Sequence, residues 1–213
     1  MFRNQTGLKR LLFAHAAAGG ELPTGYKQIA YIQAEQYAYI ATNYTPVKDD
    51  EITVRFMSDS ISTYNCLFSA GNNNYQLIAL GNNANGLQDF YCKYFASGSA
   101  VEMKTHITTG TWQTMTVNSN GRFDANGVYA TSPYENEIDG GLNKLFIFRR
   151  VNSNYPYIGK LSSFTIANNG RKKLDLIPCL RTSDNVAGAY DAVSKTFYSS
   201  ASPNEQFIPG INI

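Results

Sequence analysis

Apolar and polar residues alternate in short runs along most of this chain. Ile52, Val54 and Phe56 share one parity with polar residues between them, and Phe164 and Ile166 repeat the pattern. Alternation at period two lays one face of a strand against a core and turns the other to solvent. Between Glu21 and Ile213 no stretch carries a convincing helical period. Runs rich in Val, Ile, Thr, Tyr and Phe favour a pleated, half-buried surface. They predict strands at 26–32, 37–41, 51–57, 66–70, 75–80, 90–94, 101–107, 113–117, 122–125, 144–148, 158–167, 174–179, 189–191 and 196–198. Asn85-Gly86, Asn120-Gly121, Asn126-Gly127 and Asn169-Gly170 mark tight turns among them. A type I′ hairpin needs positive φ at both central positions, which Asn and Gly tolerate best. The Asn169-Gly170 pair gives the clearest hairpin.

So many short strands with frequent turns predict an all-β fold, a two-sheet antiparallel jelly-roll sandwich. At 213 residues the chain suits one large domain with an appendage, since β sandwiches often pass about 200 residues as one unit. A hydrophobic fraction of 43%, with 15 Tyr and 12 Phe, supplies a sizeable core and excludes intrinsic disorder. Eighteen basic and 16 acidic residues leave a net charge of +2. That balance carries no electrostatic footprint for nucleic acid or an anionic membrane. No apolar run approaches the ~18 residues of a membrane span. A soluble chain with neutral or protein partners is the expectation.

Residues 1–20 read differently. Arg3, Lys9 and Arg10 lead into Leu11, Leu12 and Phe13, and Gly19-Gly20 closes the segment. This apolar stretch falls short of the ~7–15 residues at the centre of a secretory signal, so an N-terminal arm is expected, with the sandwich at 21–213. Leu8, Leu11 and Leu12 fall at i, i+3 and i+4, a spacing at which a short amphipathic helix could present them together. Phe2, Arg3, Leu8, Arg10, Leu11, Leu12 and Phe13 are the candidate anchoring residues. Cys66, Cys92 and Cys179 are odd in number and lack metal-type spacing. Three free thiols beside core strands are the favoured reading, with one bridge plus a free thiol as the alternative.

Near the start stand Leu22-Pro23-Thr24-Gly25-Tyr26, Ile29, Tyr31-Ile32 and Tyr39-Ile40-Ala41-Thr42. The closing part reads Ile158-Gly159-Lys160-Leu161, Ser163-Phe164-Thr165-Ile166, Asn169-Gly170, Leu176-Ile177-Pro178-Cys179, Arg181, Ser183-Asp184-Asn185, Gly188-Ala189-Tyr190-Asp191 and Phe197-Tyr198. In order and spacing these segments resemble the concanavalin A-like, LamG-type jelly-roll domains of phage and prophage structural proteins and of gut-bacterial surface proteins. The resemblance implies a noncatalytic virion protein, capsid-decorating or tail-associated, made in the host cytoplasm. Its arm would dock onto other virion proteins in an oligomeric assembly, and its displayed sandwich would bind host-surface or mucus glycans. A bacterial surface glycan-binding protein is the alternative, and an endo-acting glycoside hydrolase a third reading. The matched positions suit strand ends and turns, so they mark a fold rather than an active site. Asp191 is placed to accept hydrogen bonds from the turn after it.

The same superfamily contains endoglucanases whose catalytic strand reads Glu-x-Asp-x-Glu, which sets two carboxylates on one face. Glu137-Ile138-Asp139-Gly140-Gly141 begins that pattern and ends on glycine, which removes the proton donor. Glu135 has the right parity, but Pro133 and the glycine pair read as a loop. His15 and His106 have no recognisable nucleophile or metal partner in sequence. No catalytic residue and no enzyme activity are expected.

Sugar recognition pairs flat aromatic faces with planar amides or carboxylates that bond vicinal hydroxyls. Three segments mix these types, and Asn73, Asn74, Tyr75, Asn83, Asp89, Tyr91, Asn154, Tyr155 and Tyr157 are the candidate glycan-binding residues. The alternative is that Asn serves turns and Tyr is abundant. No motif calls for a cofactor or a metal. A Ca²⁺ ion would need several loop oxygens, for which Asp124-Ala125-Asn126-Gly127 and Asp49-Asp50-Glu51 are the candidates. A hairpin turn and a solvated acidic loop explain them equally well.

Overall fold

In a computed structural model, the alternating positions become the facing sides of two sheets. The structure describes residues 21–213 apart from 48, 61–64, 72–75, 83–88, 97–100, 119–121, 126–127, 132–142 and 151–155. The strands are β1 (Tyr26–Gln28), β2 (Ile32–Ala34), β3 (Ile40–Ala41), β4 (Asp50–Ser58), β5 (Cys66–Gly71) and β6 (Gln76–Asn82). They continue with β7 (Asp89–Ala96), β8 (Val101–His106), β9 (Gln113–Val117), β10 (Arg122–Ala125), β11 (Val128–Thr131) and β12 (Phe146–Ile147). The chain ends through β13 (Gly159–Asn168), β14 (Arg171–Arg181), β15 (Val186–Asp191), β16 (Thr196–Tyr198) and β17 (Ile208–Pro209). No helix occurs among the described residues.

The larger sheet runs β11-β10-β9-β4-β13-β14-β15-β16, with β1 beside β14, β2 beside β13 and β17 beside β2. The smaller sheet runs β3-β12-β5-β6-β7-β8. Every pairing is antiparallel. On β4 burial follows parity, with Ile52, Val54 and Phe56 inside and Glu51, Thr53, Arg55 and Met57 outside. Phe68 of the smaller sheet meets Phe164 of the larger edge to face at 5.6 Å. Such aromatic contacts add to the area they remove from water, the main favourable term in folding.

The Asn169-Gly170 turn joins β13 to β14 with φ of 49° and 72°, the hairpin its sequence predicts. Asp191 accepts the backbone N–H groups of Val193 and Ser194 in the next turn, and that of Asp175 at 2.9 Å. The sequence reading needs correction at several boundaries. The expected strand 26–32 divides at the Ala30 bend, because β1 pairs with β14 whereas β2 pairs with β13. Of 37–41 only β3 is strand, and 144–148 shortens to β12, which stops before Phe148 with its φ of 70°. β11 and β17 were not anticipated, each being a short run completed by a neighbour, β10 for β11 and β2 for β17.

Cys66 and Cys179 are free and buried, with burial raising both thiol pKa values, Cys179 to about 12. The arm candidates from Phe2 to Phe13 lie outside the described residues.

Candidate functional site

The sequence candidates fare unevenly. Asn73, Asn74, Tyr75, Asn83, Asn154 and Tyr155 lie outside the described residues, as do Glu135, Glu137 and Asp139. Asp89 and Tyr91 sit within β7 rather than in a loop, paired with Asn82 and Leu80. Tyr157 is a correction: it is 0% exposed and belongs to the core. Its hydroxyl shares a 2.6 Å hydrogen bond with Ser58 Oγ, and its ring stacks on Phe148 at 5.2 Å. Burial drives the phenol pKa well above its usual range, only partly offset by the Ser58 bond. A signal was available in the sequence. Tyr157 shares parity with Gly159 and Leu161, and that parity faces inward.

Of the calcium candidates Asp50 is tied up by its neighbours, Asp49 and Glu51 are exposed, and Asn126 and Gly127 lie outside the described residues. Asp50 is buried and accepts hydrogen bonds from the Tyr44 hydroxyl at 2.8 Å, the Val47 N–H at 2.9 Å and Asn168 Nδ2 at 3.0 Å. It ties the β4 entrance to the end of β13. Asp124 lies on β10 between Thr116 and Tyr129. Among the described residues no group of three or more His, Cys, Asp or Glu side chains could hold a metal ion.

A site that the sequence did not single out lies where β3 begins and β12 ends. Ile147 pairs with Ile40, so the antiparallel register brings Phe148 and Arg149 beside Ala38 and Tyr39. The left-handed backbone at Phe148 ends the ladder, and its ring faces Tyr157 on one side while also lining a cavity of about 440 Å³. Tyr37, Tyr39, Arg149, Pro156 and the segment from Ser202 to Glu205 complete the wall. The chain after β16 is pinned there by the Ala201 N–H, which donates to the Tyr39 carbonyl at 2.8 Å.

The charges in this wall are held but not neutralised. The Arg149 guanidinium lies over the Tyr39 ring, 4.5 Å from its centre, and the Arg149 carbonyl accepts the Ser69 hydroxyl at 2.9 Å. Among the described residues neither the Arg149 guanidinium nor the Glu205 carboxylate has an ion-pair partner. Tyr37 is 54% exposed and lines the cavity. The cavity thus offers a ring face, a fork of donors, an acceptor carboxylate and the Asn204 amide. Arg149 and Pro156 also pair across the ends of the segment that carries Asn154 and Tyr155.

No family model matches this chain, and no curated protein matches it in sequence. Solved structures do resemble it. A native heptameric SAP-like pentraxin from Limulus polyphemus is 13% identical, with a TM-score of 0.53 over 88% of this chain and 94% of its own. A Bacteroides ovatus ATCC 8483 protein provisionally named as carbohydrate binding is also 13% identical, with a TM-score of 0.57. The match covers 87% of this chain and about 60% of that one. What the chain shares with both is the fold, a two-sheet antiparallel jelly-roll sandwich. The phage setting and the LamG-type particulars rest on the sequence resemblance alone.

Proposed function

We propose that this protein is a noncatalytic, lectin-like module that binds carbohydrate in the cavity between β3, β12 and the chain after β16. The observation that supports the reading is an exposed tyrosine beside a guanidinium and a carboxylate that have not neutralised each other. Vicinal hydroxyls are both donors and acceptors, so a sugar can accept from Arg149 while donating to Glu205, with an apolar ring face on Tyr37. A cavity of about 440 Å³ falls in the ~300–1,000 Å³ span of small-ligand sites. The name of the Bacteroides ovatus structure points the same way.

The test is a glycan array probed with the full chain, in calcium and again in chelator. Selective binding, lost in Tyr37→Ala and Glu205→Gln at unchanged melting temperature, is expected. A blank array, or hits indifferent to both substitutions, overturns the assignment. A place on a virion, with other virion proteins held through residues 1–20 in an oligomeric assembly, is a separate proposal. It is carried by the sequence resemblance, and a bacterial cell surface is its alternative.

A further inference from the structure

The outer face of the larger sheet carries a second cluster, which shares no residue with the cavity wall. On β4 the buried Phe56 and Ser58 alternate with Arg55 and Met57, and on β13 the buried Gly159 and Leu161 flank Lys160. Trp112 precedes the buried Gln113, and Tyr31 precedes the buried Ile32. Parity therefore sends Arg55, Lys160, Trp112 and Tyr31 to the same outer face. There the Tyr31 and Trp112 rings lie 5.8 Å apart at 53°, both half-buried. The backbone of Gly210 rests on the Tyr31 ring so closely that an added Cβ would lie 2.8 Å from it. That contact fixes the Tyr31 ring in advance of any ligand.

Two cations flank the rings, and only one is neutralised. Lys160 Nζ stands 5.7 Å from the Tyr31 ring and pairs with Asp59 at 3.0 Å, while Gln33 Nε2 donates to the same carboxylate at 3.2 Å. The Arg55 guanidinium stands 5.7 Å from the Trp112 ring and has no acidic partner among the described residues. Further along the face come hydroxyls. Thr53 faces Thr116 across one ladder and Thr165 across the other. A guanidinium set against an aromatic ring keeps its outer edge free for bidentate bonding to a carboxylate or sulfate. These groups lie on or directly before the neighbouring strands β2, β13, β4 and β9 of one sheet face and not among the residues lining the cavity, an arrangement along which an extended chain can lie.

We infer that this Trp112–Tyr31–Arg55 platform binds an internal stretch of an acidic polysaccharide, its sugar rings on the aromatics and its carboxylate or sulfate on Arg55. The site is independent of the cavity, and its failure would leave the carbohydrate reading of the cavity intact. The test is gel retardation of the full chain by polygalacturonate, by dextran sulfate and by uncharged dextran. Retardation by polygalacturonate, dextran sulfate or both, and not by dextran, is expected; which acidic polymer acts separates carboxylate from sulfate recognition. Arg55→Ala and Trp112→Ala should each weaken it at least fivefold with the melting temperature retained, and Arg55→Lys should be intermediate. Should Trp112→Ala fail to fold, Arg55→Ala carries the test. Lys173→Ala, at the exposed start of β14, should leave retardation unchanged. Absence of retardation by both acidic polymers, equal retardation by dextran, or a loss in Lys173→Ala matching that in Arg55→Ala overturns the inference.

Discussion

Two neighbouring regions share Phe148 and use the same residue types to opposite ends. Tyr157 stacks on its ring, fully buried, with its hydroxyl bonded to Ser58 and its edge against Gly159. Phe148 also lines the cavity, where Tyr37 is exposed and Arg149 and Glu205 lack ion-pair partners among the described residues. A buried polar group must find its partner within the protein, because an unmade hydrogen bond costs the full desolvation. A binding site leaves its polar groups for the ligand. Hydrogen-bond satisfaction and exposure, not residue type or the company of asparagines, therefore set Tyr157 apart from Tyr37.

The contrast can be broken most forcefully on the sealed side. Tyr157→Ala should lower unfolding free energy by about 3–5 kcal/mol, as large-to-small aromatic substitutions in cores do, measured by urea denaturation. Gly159→Ala should cost about 1–3 kcal/mol through overpacking, because its Cβ would fall on the Met57 carbonyl and the Tyr157 ring. Tyr157→Phe keeps the ring and strands the Ser58 hydroxyl, a loss of about 1–3 kcal/mol. On the open side, Tyr37→Ala should change stability by no more than about 0.5 kcal/mol while lowering glycan affinity about tenfold, near 1.4 kcal/mol of binding. Calorimetric melting and titration of one preparation separate the two readouts. If Tyr37→Ala destabilises the fold as Tyr157→Ala does, the division between the regions is lost.

The smallest effect lies far from both. Arg181 donates to Asp184 at 2.7 Å, and that bond, more than any other cause, holds the Asp184 carboxyl below its usual range. A carboxyl depressed in the folded state contributes stability above the ordinary carboxylate range and loses it as pH falls through the depressed value. Asp184→Asn should therefore cause a slight drop in melting temperature at about pH 7 that shrinks as pH falls through the depressed carboxyl value.

The strand runs were legible because alternation at period two is a local property, and so was the hairpin, because Asn169 and Gly170 carry their own tolerance of positive φ. Tyr157 was misplaced although its parity with Leu161 pointed inward, because a Tyr among Asn and Pro also fits a binding loop. The cavity was not legible. Tyr37, Arg149 and Glu205 come from three separate segments, and no spacing within any one of them hints at the others.

By itself, then, the sequence determined that this chain folds as β strands paired into two antiparallel sheets, since apolar period and turn chemistry act between near neighbours. Only the tertiary structure decided which aromatic rings enter the core and which stay exposed beside the cavity. Burial and hydrogen-bond satisfaction depend on what the far ends of the chain place alongside, as when the chain after β16 lays Glu205 into the wall that Tyr39 and Arg149 begin.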